Sequence, residues 1–191
     1  MVPKELFLNR FSMITDYKIV LETDRLTLRR FTIRDTDFII NLLNSPGWLE
    51  FIGDRNVRTQ EQAKDYLLNG PIKSYHENGF GLSLVELKLA KKPIGMCGLL
   101  KREYQEHPDI GFAFLPEYIG KGYAYEIAKA TMDYAKATLK MACVMAITMP
   151  ANKSSIRLLE RIGLKFVKNI STPVGNDELL LFSDAEKSSM H

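Results

Sequence analysis

The sequence predicts a single mixed α/β (α+β) domain, and two observations carry that prediction. Runs with strand periodicity and runs with helical periodicity follow one another along 191 residues, a length that buries a real core without metals or disulfides. Within them, "GFAFLPEYIGKGYAYEIAKATMDYAK" passes from a strand-like run through a Gly-x-Gly turn straight into a helix-like one.

"RLTLRRF" (25–31) alternates apolar with polar residues and predicts a half-buried strand, and "TIRD" offers a capping box into the helix "DFIINLLN". "SPGWLEFIG" breaks that helix; "TQEQAKDYLL" restarts one with Thr59 as N-cap, ending at the Gly70-Pro71 interruption and resuming over 72–77. "FGLSLVELKLAKKPIGMCGLLKRE" holds two strands joined at "LAKKP" as an antiparallel hairpin, and "DIGFAFLPE" is a third. The helix from Gly122 to Lys140 places Ala124, Ile127, Ala128, Thr131, Met132 and Ala135 on one stripe that should pack on a sheet. "ACVMAITM" predicts a fully buried strand, "NKSSIRLLERIG" a short helix stopped by Gly163, and "LKFVKN" and "ELLLFS" two final strands. Residues 1–20 are expected to form an N-terminal extension, 21–183 the domain and 184–191 a tail.

Composition narrows the function classes. With 46% hydrophobic and 26% charged residues the chain has the balance of an ordinary globular protein, and no apolar run reaches the length that crosses a bilayer. A net charge of +3, with basic and acidic residues interspersed, argues against a nucleic-acid partner. "MVPKELFLNRFSMITDYKIV" lacks a long apolar core and a small-residue cleavage site, so no secretory signal is read and a cytoplasmic location is expected, with no membrane partner. Cys97 and Cys143 lie in apolar strands and are expected as free buried thiols, with no metal site.

The Gly120-Lys121-Gly122 turn carries the chemistry. The first turn of a helix leaves N–H groups without intrahelical partners at the positive end of the macrodipole, and anions bind there. Glycines permit the tight turn and a close approach, and Lys121 adds a cation. A plain strand-to-helix turn would also use glycine. A P-loop nucleotide site fits less well, because Gly-Lys-Gly lacks the hydroxyl residue after Gly-Lys.

In its element order, and in "LETDRLTLRRF", "DIGFAFLPEYIGKGYAYEI" and "NKSSIRLLERIGLKFV", the chain resembles the GNAT superfamily of acetyl-CoA-dependent N-acetyltransferases from Leu21 to Ser183. Within it, the resemblance is to the ribosomal-protein N-terminal acetyltransferase branch of RimJ/RimL type. The resemblance implies a mixed, mostly antiparallel sheet of about seven strands flanked by about four helices, with one splayed pair of strands forming the cofactor cleft. The family's pyrophosphate loop, Gln/Arg-x-x-Gly-x-Gly/Ala, falls on Ile119, Gly122 and Ala124, departing from the pattern at Ile119. Ile119, Gly120, Lys121, Gly122, Tyr123 and Ala124 are therefore expected around the pyrophosphate of acetyl-CoA, with the backbone of Phe112 and Phe114 pairing with the pantetheine arm.

By the same resemblance Asn152 holds the pantetheine or acetyl end, and Ser155 assists the departing thiolate; both residues also suit a helix start. Tyr118, Tyr123 and Tyr125 are alternative acids. The amine must lose a proton before it attacks, and Asp109 is the first candidate base, with Glu103 and Glu86 as alternatives. The implied reaction is direct transfer to an amine acceptor, a protein N-terminus or a small molecule, by a monomer or homodimer. The acceptor pocket has no portable motif; Trp48, Phe51 and Ile52 with Glu50 and Asp54 form its one sequence hint. A sensor that binds acetyl-CoA without transferring the acetyl group shares the same turn.

Overall fold

The computed structural model describes residues 17–171 and 178–185; the parts of the expected extension and tail at 1–16 and 186–191 lie outside the described residues. In chain order the strands are β1 (Ile19–Glu22), β2 (Leu26–Arg29), β3 (Leu82–Leu87), β4 (Lys92–Leu100), β5 (Asp109–Phe114), β6 (Met145–Thr148), β7 (Lys165–Ser171) and β8 (Glu178–Ser183). The helices are α1 (Thr36–Leu43), α2 (Pro46–Phe51), α3 (Gln60–Leu67), α4 (Lys73–Glu77), α5 (Tyr123–Ala137) and α6 (Lys153–Arg161).

All eight strands form one sheet in the order β1-β2-β3-β4-β5-β6-β8-β7. Every neighbouring pair is antiparallel except β5–β6, which is parallel. The strand beyond the predicted set is β1, which straddles the boundary expected between the extension (1–20) and the domain (21–183). It is short and only half-buried, so its apolar pattern is faint, and pairing with β2 defines it.

The predicted caps form. Thr32 and Asp35 close a capping box on a 3-10 turn (Ile33–Asp35) that leads into α1, and Thr59 closes another with Gln62 at the start of α3. Two helical readings are corrected. "SPGWLEFIG" contains α2, entered through Pro46 at its first position. Gly70-Pro71 interrupts nothing: a π-helical turn, Leu68–Ile72, links α3 to α4, and the extra residue in its ring accommodates a proline with no N–H to donate.

The two faces of the sheet are covered by different helices. Arg29 aligns with Leu84 and Leu84 with Met96, so these share a face, and Arg29 grips Asp35 at the head of α1. Cys97 points the other way, with its Sγ 3.5 Å from Thr131 Oγ1 on α5. Ile127, Ala128, Thr131, Met132 and Ala135 are all buried in that interface, as their stripe predicts, and Ala124 is half-buried at the helix start. The half-buried reading of β2 is overturned: all four of its residues are buried. Its polar side is enclosed because Arg29 is neutralised by Asp35 at 2.7 Å and Glu86 at 3.1 Å. The expectation of a fully buried "ACVMAITM" is corrected in the other direction: Ala142 is exposed and Met145 and Ile147 are half-buried.

Candidate active site

β5 and β6 share one register pair, Asp109 with Met145, and then part. Leu115 N donates to Ile94 O at 3.0 Å, and the β4–β5 register is unbroken. Alternation along an antiparallel ladder therefore turns the backbone N–H and C=O groups of Phe112 and Phe114 away from β4, towards the gap where β6 has diverged. The sheet thus offers an unpaired strand edge in its interior.

The chain leaves β5 through a 3-10 turn (Pro116–Tyr118) and the extended Ile119, then meets Gly120 at φ 80° and Gly122 at φ 81°. Both values lie in the left-handed region, which explains the glycines. A Cβ at Gly120 would meet nothing within 4 Å, and one at Gly122 would meet only Arg25 Nη2 at 3.4 Å. Space is open over the turn, and the N–H groups of the first turn of α5 have no intrahelical acceptors. Lys121 is exposed, with Nζ 5.5 Å from the Tyr118 ring.

Because β5 and β6 are parallel, their carboxyl ends lie at one end of the sheet, so the glycine turn and the start of α6 flank the mouth of the gap. Asn152 Oδ1 accepts from Ser155 N at 3.0 Å and from Ser154 Oγ at 2.9 Å, so Asn152 caps α6. Its amide nitrogen and the Ser155 hydroxyl have no partner among the described residues. Of the tyrosines, Tyr118 is buried, Tyr123 lies 4.5 Å beneath the Arg25 guanidinium, and Tyr125 lies 4.2 Å beneath that of Arg161.

Asp109 stands at the closed end of the gap, so the fold separates it from Asn152 and Ser155. It is 1% exposed and ion-paired with Arg102, Oδ1 to Nε at 2.8 Å and Oδ2 to Nη2 at 3.1 Å. Burial pushes its carboxyl above the ordinary range, against the pull of Arg102. Glu86 is spent on Arg29, Lys91 and the Tyr17 hydroxyl, and Glu103 is exposed. Trp48 is buried and donates to Gly53 O at 3.0 Å, while Asp54 pairs with Arg58 at 2.7 Å, so the predicted apolar wall does not stand together as one open surface.

Three side chains that pair with site residues were not picked out from the sequence. Arg102, the counter-ion of Asp109, sits in a loop that reads as irregular. Arg25 and Thr23 both bind Glu126 in the first turn of α5 although about a hundred residues separate them: Thr23 Oγ1 at 2.6 Å, Arg25 N at 3.0 Å and Arg25 Nε at 2.6 Å. Against a burial penalty, these bonds hold the Glu126 carboxyl below its ordinary value.

The model of the acetyltransferase (GNAT) domain matches residues 25–165, most of the chain, including the parted strands, the glycine turn and α6. The chain belongs to the GNAT acetyltransferase family. This acetyltransferase is 30% identical over 158 residues to the uncharacterized protein YkkB of Bacillus subtilis, covering 80% of this chain and 89% of the relative. It is 26% identical over 147 residues to the uncharacterized N-acetyltransferase YoaA of the same organism, covering 76% and 82%. Its fold superposes on the ribosomal-protein-S5-alanine acetyltransferase of Vibrio fischeri with a TM-score of 0.72 at 20% identity, over 85% of this chain and 94% of that one. Among the described residues of the enzyme, no helix is long and apolar enough to cross a membrane.

Proposed function

We propose that the enzyme transfers the acetyl group of acetyl-CoA to a primary amine by direct attack within a ternary complex, as the RimJ/RimL branch does. The observation that carries this reading is the coincidence, at one end of the sheet, of a parted strand pair and a left-handed glycine turn opening onto free helix N–H groups. The turn from Ile119 to Ala124 holds the pyrophosphate, the backbone of Phe112 and Phe114 holds the pantetheine arm, and Asn152 lines the opposite wall. Acetyl-CoA supplies the activated acyl group as a thioester. Ser155 stabilises the sulfur as it leaves with negative charge. No acyl-enzyme is needed: Cys97 is fully buried and its thiol is pushed up to about 12 by that burial.

The acceptor enters through an open groove of about 340 Å³ between the π turn and the ends of β3 and β4, lined by Tyr66, Asn69, Ser74, Leu82, Leu100 and Glu103 among others. Leu100 aligns with Asp109 on the same face, so the groove leads towards that carboxylate. Each Asp109 oxygen keeps a lone pair beyond its bond to Arg102, enough to hold a water that takes the proton from the amine. The acceptor is a protein N-terminus or a small-molecule amine.

One observation favours a second reading, a non-catalytic sensor of acetyl-CoA: Asp109, the first candidate base, is sealed and paired with Arg102. Calorimetry with acetyl-CoA, followed by mass spectrometry after incubation with a peptide, a polyamine and an amino sugar, separates the two. Binding with transfer is expected; binding without transfer to any amine would establish the sensor. Gly122→Val should weaken acetyl-CoA binding, and unchanged affinity in that variant, with its melting transition intact, would sink the turn assignment.

A further inference from the structure

We propose that Arg25, from the turn between β1 and β2, supplies the cosubstrate's pyrophosphate with the charged side-chain contact that Ile119 does not. The inference rests on the reading that acetyl-CoA binds at the glycine turn. Ile119 is 61% exposed and has no donor to offer. Into the same turn Arg25 extends a guanidinium from a segment distant in sequence.

Three contacts fix that guanidinium, and a fourth distance places its free end. Its Nε binds Glu126 Oε2 at 2.6 Å, Nη1 donates to Lys121 O at 3.3 Å, the plane lies 4.5 Å from the centroid of the Tyr123 ring, and Nη2 is 3.4 Å from where a Gly122 Cβ would stand. Glu126 also accepts from Arg25 N and Thr23 Oγ1, so the arginine is anchored at backbone and side chain. A guanidinium has five N–H donors, and these contacts leave Nη2 uncommitted on the side of the glycines. The side chain is 49% exposed, so it is open to a ligand without being loose. A planar donor pair held over backbone N–H groups of a helix start matches the oxygens of a diphosphate. Glu126 and Thr23 then act as positioning residues, holding Arg25 at the turn.

The test separates contact from mere stapling of the hairpin to α5. Arg25→Gln should weaken acetyl-CoA binding in calorimetry by roughly ten- to a hundredfold, the worth of one charged hydrogen-bonded contact. It should leave kcat at saturation and the kcat/KM for S-acetylpantetheine, which ends short of the pyrophosphate, near wild type. Adding Ile119→Arg to Arg25→Gln should restore acetyl-CoA affinity, because the charge returns to the turn from the other side. Unchanged affinity in Arg25→Gln, an equal loss with S-acetylpantetheine, or no recovery on adding Ile119→Arg would each overturn the proposal. Failure of the wild-type enzyme to bind acetyl-CoA would instead overturn the underlying reading.

Discussion

Ser155 has its backbone N–H committed to Asn152, while its hydroxyl has no partner among the described residues. Asn152 shows the same economy, since its carboxamide oxygen caps the helix while its nitrogen has no partner among the described residues. Ser155→Ala should lower kcat by roughly ten- to a thousandfold with little change in the KM for acetyl-CoA, the pattern of a contact made as the thiolate forms. Steady-state kinetics with chemistry shown to be rate-limiting checks this, and equal turnover would reject it. Asn152 and Ser155 were both legible in "NKSS", because a cap and its first turn are local in the chain. Arg25 and Arg102 were not, because a side chain's partner across the fold leaves no mark on its neighbours in sequence.

The β5–β6 pair is the element that makes a cleft from a sheet. A single bridge at Asp109 and Met145 anchors the two strands, and the ion pair with Arg102 lies at that anchor, so Asp109 is placed to serve either the join or the reaction. Asp109→Asn distinguishes them. If the carboxylate accepts the proton, the variant should lose kcat/KM most at neutral pH and recover as pH rises, since an amine of pKa about 8 to 10 then arrives already deprotonated. Profiles of kcat/KM against pH for wild type and variant on one amine decide; curves offset by a constant factor would exclude the base role. The two strands and the helix between them were legible because period and glycine placement mark them locally; their parallel pairing was not read from the residues. The π turn was not, since Gly-Pro ordinarily ends a helix, and only packing of both flanking helices on the core keeps it continuous.

The domain encloses a charged cluster on the face opposite α5. Arg29 spans Asp35 and Glu86, all three under a tenth exposed, with Thr32 N donating to Asp35 Oδ2 at 2.7 Å and the Tyr17 hydroxyl to Glu86. It joins the 3-10 turn before α1 to β2 and β3, so it fixes how the helical layer sits on the sheet. Arg29→Met leaves two buried carboxylates without their cation and should destabilise the protein by about 3–5 kcal/mol in urea unfolding, while acetyl-CoA affinity of the folded variant at low temperature stays near wild type. A loss under about 1 kcal/mol would show the cluster to be electrostatically inert.

The alternating periods, the caps at Thr32 and Thr59, the buried stripe of α5 and the glycine turn were set by neighbours a few residues apart, which is why they could be read from the chain alone. The enclosure of β2, the continuity of the helices through Gly70-Pro71 and the meeting of Arg25 with Glu126 arise only when distant segments share a volume. Hydrogen-bond geometry and charge neutralisation depend on distance in space, and periodicity along the chain carries no record of it.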